Sequence, residues 1–152
     1  MSDTKIRSQK ATALLREDHR EVKQMFSAYE KTEVESEKAE LFEQVKSALT
    51  THAQIEEEIF YPALLGVEDE ECQELLMEAQ EEHKIVKTLL EELSGLDPSA
   101  EQFDAKVKVL GENVEHHAEE EEKEMFPFFE QLPKEQQDEV SKMLQERKED
   151  LS

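Results

Sequence analysis

Four histidines and two glutamates have the types and spacing to do chemistry in this sequence: His19, His52 followed by Glu56, His83, and His117 followed by Glu121. A separation of four residues puts each His–Glu pair on one face of a helix, one turn apart. Imidazole nitrogen with carboxylate oxygen suits iron, manganese or zinc, whereas calcium and magnesium prefer all-oxygen shells. Six titratable groups are costly in a core as bare polar atoms, and coordinating a metal is the usual way to satisfy such a cluster. Two histidines per ion with both glutamates bridging would give each of two ions four protein donors. An octahedral shell then keeps room for a solvent-derived bridge and one exchangeable position.

An internal repeat brings these residues into register. A shift of 64 to 65 residues lays the segment around His19 on that around His83, each preceded by an acidic pair (Glu17-Asp18 and Glu81-Glu82). The same shift lays His52, Glu56, Glu57, Tyr61 and Pro62 on His117, Glu121, Glu122, Phe126 and Pro127. The proline offset selects His117 over its neighbour His116, which falls about 100° round the helix and reads as a flanking residue. A rival register uses Glu57 or Glu122, five residues after the histidine, where a helix widens locally. Otherwise Glu57, Glu58 and Glu122 read as exposed.

These residues sit on four amphipathic segments with apolar positions every three or four residues. The first covers about residues 9–30, with Leu15, His19, Val22, Phe26 and Tyr29 in line. The second runs from about 36 with Leu41, Val45, Leu49, His52, Glu56 and Ile59, and Pro62 and Gly66 mark its exit. The third spans about 70–93 with Leu76, Ala79, His83, Val86, Leu90 and Leu93. The fourth spans about 100–125 with Phe103, Val107, Leu110, Val114, His117, Glu121 and Met125, and Pro127 closes it. Short links between helices of this length predict an all-α, antiparallel up-down-up-down four-helix bundle over about 9–130, with internal two-fold duplication. A weaker stripe of Val140, Met143 and Leu144 predicts an accessory helix over about 133–149 that packs outside the bundle or frays.

Composition narrows the function. With 152 residues the chain fits a single domain over 1–152. Only three Gly and four Pro leave little chemistry for β-turns. A formal charge of −22 repels phosphate backbones and anionic headgroups, so nucleic acid and membrane surfaces are poor partners. Residues 1–5 carry no apolar signal region and no apolar run approaches a membrane span, which predicts a cytoplasmic protein. The lone Cys72 cannot form an internal disulfide and reads as an exposed or semi-buried thiol in reducing surroundings. Ferritin-like sites need Glu-x-x-His, and the residues three before the five histidines are Arg16, Leu49, Gln80, Asn113 and Val114.

Taken in order, His19, His52-x3-Glu56, His83 and His117-x3-Glu121, with Phe-Tyr-Pro or Met-Phe-Pro trailing the doubled motif, resemble the hemerythrin-like HHE cation-binding proteins over about residues 10–130. The resemblance implies a non-heme di-iron centre bridged by two carboxylates and an oxo or hydroxo group, with manganese or zinc ranking behind iron. It assigns His19, His52, His83 and His117 as terminal ligands and Glu56 and Glu121 as bridges. The O2-carrying hemerythrins have His-x3-His on the third helix, where this chain has Ala79 and Lys87 around His83. Their last helix uses His-x4-Asp, where this chain offers Glu121 and Glu122. These departures direct the resemblance toward members that handle iron or meet peroxide, nitric oxide and oxidative stress. An O2 carrier or sensor is the first alternative, and a metal-free acidic interaction protein the second.

Overall fold

The computed structural model describes residues 10–152, and every regular element among them is helical. Helix α1 spans Ala11–Lys31. Helix α2 starts at Glu35–Ile55 and continues without a break through a π-helical turn, Glu56–Phe60, and a last α-turn, Tyr61–Leu64. Helix α3 is Glu70–Ser94, opened by Asp69, whose side chain accepts the backbone N–H of Cys72 at 3.1 Å. Helix α4 repeats the construction of α2: Glu101–Glu120, a π-turn at Glu121–Met125, then Phe126–Glu130. Helix α5 is Lys134–Leu151. Residue 9, where the first helix is expected to begin, and the opening residues 1–5 lie outside the described residues.

α1 packs along α2 and α4, α3 packs along α4 and touches α2, and α5 lies across α1 and α2. The buried apolar residues divide into two cores. One gathers Leu15, Ile55, Phe60, Leu64, Leu76, Phe126, Phe129 and Leu144. The other gathers Val22, Phe42, Val45, Leu49, Leu90, Phe103, Val107 and Leu110. Along each long helix the site histidine separates the two sets, as in Leu15–His19–Val22 and Leu110–His117–Met125.

Two expectations need correction, and the two courses open to the last helix are resolved. The prolines do not end their helices. Tyr61 N–H reaches back five residues to the Glu56 carbonyl, and Phe126 N–H does the same to Glu121. This extra residue per turn moves aside the carbonyl that a proline ring would strike, and proline needs no bond of its own. The same widening shifts the inward phase of α2, so Phe60 is fully buried and Ile59 only partly so, against the first core. Cys72 is fully buried on the inner face of α3 with Leu75, Leu76 and Ala79, and burial pushes its thiol pKa up. Helix α5 does not fray: Val140 and Leu144 enter the first core, and Ser141 Oγ accepts the Ala11 N–H at 2.8 Å.

Phe60, packed against the rings of Tyr61, Phe126 and Phe129, is a keystone of the first core. Phe60→Ala should cost about 3–5 kcal/mol in equilibrium denaturation. Met77→Ala, at a site 60% exposed, should change stability by less than about 0.5 kcal/mol.

Candidate metal centre

The structure brings all six sequence-chosen residues into one layer between the two apolar cores. Glu56 and Glu121 are sealed from solvent, and the four histidine side chains are close to sealed. Each glutamate spans two histidines with its two oxygens. Glu56 places Oε2 3.3 Å from His52 Nε2 and Oε1 3.1 Å from His83 Nε2. Glu121 places Oε1 3.1 Å from His19 Nε2 and Oε2 3.4 Å from His117 Nε2. The histidines therefore pair as His19 with His52 and His83 with His117. Their rings meet edge to face at 4.9 Å and 5.0 Å, with interplanar angles of 70° and 69°.

Behind every histidine stands a carboxylate that was not foreseen as part of the site. His19 Nδ1 lies 2.7 Å from Glu122, His52 Nδ1 2.8 Å from Asp18, His83 Nδ1 2.6 Å from Glu57, and His117 Nδ1 2.6 Å from Glu82. With Nδ1 donating outward, each ring turns Nε2 inward, the arrangement that orients a metal-binding imidazole and raises its basicity. Glu57 and Glu122 are thus half-buried and hydrogen-bonded rather than exposed, because the widened turns swing them onto the outer edge of a histidine. They do not stand among the inner donors, as the rival register would require. His116 is exposed and stands apart from the inner donors, beside Glu82 at 3.9 Å and Glu120.

Tyr61 is the other residue that sequence reading missed. The π-turn rotates it inward, and its hydroxyl donates to Glu121 Oε2 at 2.7 Å while standing 3.1 Å from Glu56 Oε1 and 3.1–3.2 Å from Nε2 of His117 and His83. Its repeat partner Phe126 instead stacks on His19, with 6.3 Å between ring centroids. A cavity of about 40 Å³ is walled by the four histidines and by Val22, Leu49, Val86 and Val114. A groove of about 830 Å³ between α1 and α4 meets it at His19, Val114 and Ala118.

The donors fit a metal ion. His19 Nε2, His52 Nε2, Glu56 Oε2 and Glu121 Oε1 are buried without a hydrogen bond, although they lie within 3.3 Å of one another in His–Glu pairs, because those contacts are not aligned for one. Unmade hydrogen bonds of buried polar atoms are expensive, and here the orphaned atoms face a common point. A second group, Glu56, His83 and His117, converges beside it. Charge leads to the same conclusion. Burial opposes protonation of His52, yet Glu56 and Asp18 outweigh it and hold its pKa up to about 10. Burial is likewise outweighed at His19, His83 and His117, chiefly by the facing carboxylate of Glu121 or Glu56, and their values are raised. Glu56 is held well below the usual carboxylate range, burial being overcome above all by His52. The layer calls for positive charge, and protons supply it where a cation does not.

The family model described as the hemerythrin HHE cation binding domain matches residues 10–129. A solved hemerythrin HHE cation binding domain-containing protein from Mycobacterium kansasii has the same fold, with a TM-score of 0.79 at 24% identity, over 94% of this chain and 87% of that one. A Nostoc protein named DNA nickase is 33% identical over 114 residues, which is 74% of this chain and 31% of that protein.

In the metal-free protein the raised His52 value gives stability its pH dependence. The contribution is complete below the ordinary value of 6.5 and is lost as pH rises toward about 10. The lowered carboxylates are already ionised in that window, and Tyr61 is held neutral throughout it. The melting temperature of chelator-treated protein should therefore fall steadily from pH 6.5 to 10. A flat or rising profile would contradict an ion-paired layer.

Proposed function

Because the chain belongs to the hemerythrin HHE cation-binding family, we propose that it is a single-domain, cytoplasmic di-iron protein that reacts with small oxidants or handles iron. The observation that carries this reading is the set of four orphaned donor atoms, one from each of His19, His52, Glu56 and Glu121, facing one point. His19 and His52 would hold one iron and His83 and His117 the other. Glu56 and Glu121 would bridge them, since each already divides its oxygens between the two histidine pairs. The packing of neighbouring helices joined by short links is read as an up-down-up-down bundle, and the two matching π-turns and histidine pairs as its internal duplication.

A pair of irons supplies electron transfer at adjacent ions, which suits oxidants such as peroxide, O2 and nitric oxide. The protein's own part is to select and orient. The cavity beside the histidines has room for a few atoms, and its valine and leucine walls keep bulk water away. The Tyr61 hydroxyl faces the His83–His117 position, so the His19–His52 position is the one with fewer protein oxygens around it. Two anionic bridges and few histidines favour oxidised metal, which supports redox chemistry over durable O2 carriage. The buried, unpaired Cys72 is compatible with a reducing compartment. The nickase name belongs to a protein of which this chain spans 31%, and a charge of −22 does not favour a nucleic-acid partner.

Protein loaded aerobically should contain close to two irons per chain by elemental analysis, and zero metal or a single zinc would refute the assignment. Glu56→Ala or Glu121→Ala, each removing a donor from both positions, should abolish iron retention. Glu57→Ala, acting through His83, should weaken it by roughly 10- to 100-fold. Equal loss in the Glu56 and Glu57 variants would return the assignment to the rival register. Adding O2 to the reduced protein should give direct autoxidation. A spectrum that forms with O2 and reverses under vacuum would make the protein a carrier or sensor.

A further inference from the structure

The four outer carboxylates are not alike. Glu122, Glu57 and Glu82 are 34%, 34% and 24% exposed, and their basic neighbours are exposed too: Arg16 at 3.9 Å, Lys87 at 3.0 Å and His116 at 3.9 Å. Water screens such pairs. Asp18, behind His52, is only 8% exposed, and its second oxygen accepts from Lys148 Nζ at 2.6 Å. Lys148 comes from α5, beyond the family-matched residues 10–129. The carboxylate is divided between two donors, His52 on Oδ2 and Lys148 on Oδ1.

We propose that Lys148 is a positioning residue that acts through Asp18 to set the orientation and donor strength of His52, so that α5 governs one of the two metal positions. The proposal rests on the di-metal reading above. A carboxylate shared with a half-buried ammonium is a weaker acceptor for the imidazole N–H, and a charge-assisted bond at that depth is little screened. Asp18 therefore differs from Glu82 behind the repeat counterpart His117, whose other basic neighbour is an exposed histidine at 3.9 Å. Burial works against a charged Lys148, yet its bond to Asp18 prevails and keeps it protonated. Arg147, the next residue of α5, makes a separate 2.9 Å contact with Glu58, which reaches no histidine. The two neighbours thus separate docking of the helix from tuning of the site.

The test uses full-length protein loaded with zinc, a diamagnetic ion. NMR follows the four imidazole Nδ1–H protons, and calorimetry measures the two zinc-binding steps. In Lys148→Met the His52 proton should move downfield while the other three stay, and one zinc step should tighten by about tenfold, the scale of such outer-partner effects. Lys148→Arg should retain wild-type values. If circular dichroism shows Lys148→Met unfolded, Lys148→Gln carries the same expectation. Arg147→Met should leave both readouts unchanged. An unmoved His52 proton in the Lys148 variant, or an equal movement in Arg147→Met, would overturn the inference while leaving the di-metal reading intact. Failure of the wild-type protein to take up two ions would overturn that reading, and the inference with it.

Discussion

Glu56 and Glu121 are ionisable groups with no access to solvent, held between two apolar cores together with four imidazoles. Removing a carboxylate from water costs several kcal/mol even after relaxation, so the fold depends on these two charges being answered. The answer is built in shells. Four Nε2 atoms surround the two carboxylates, four outer carboxylates hold the Nδ1 atoms, and basic side chains from α1, α3 and α5 meet three of those carboxylates. Each shell alternates in sign, and charge passes outward until water can take it.

The π-turns are the backbone's part in this arrangement. An ordinary α-helix carrying His52 and Glu56 on its inner face would turn Tyr61 and Glu57 away. Adding one residue to the turn brings Tyr61 onto the inner donors and Glu57 onto the outer edge of His83. Widened turns are uncommon and associated with functional positions. Their occurrence at the same place in α2 and α4 fits a function that needs two residues where a regular helix would offer one.

The inner layer was legible in the sequence because it obeys simple periodicity: histidine and glutamate four apart, on stripes that alternate with leucine and valine. The outer layer was not. Asp18, Glu57, Glu82 and Glu122 are four acids among 40, off the apolar stripes, and spacing alone does not distinguish a hydrogen-bonded carboxylate from a solvated one. A signal did exist, since an acid precedes both His19 and His83 and another follows both Glu56 and Glu121, so the repeat held all four in matching positions. Tyr61 was hidden by Pro62, which reads as a stop only while the turn before it is assumed to be regular. Cys72 was misread because a single polar-looking residue in a first turn gives no phase, and the leucines that fix it come later in α3.

The outer carboxylates also cross between the halves. Asp18 and Glu82 each orient a histidine within their own helix pair, His52 and His117, whereas Glu57 reaches His83 and Glu122 reaches His19. A fragment holding α1 and α2 alone would keep one oriented imidazole and leave the other free to swing, and the same holds for α3 and α4. Neither half is a smaller version of the whole. An isolated half could orient both of its imidazoles only by meeting a second copy face to face and trading carboxylates with it. Within one chain that exchange does not depend on concentration, and the matching positions differ, with tyrosine at 61 and phenylalanine at 126.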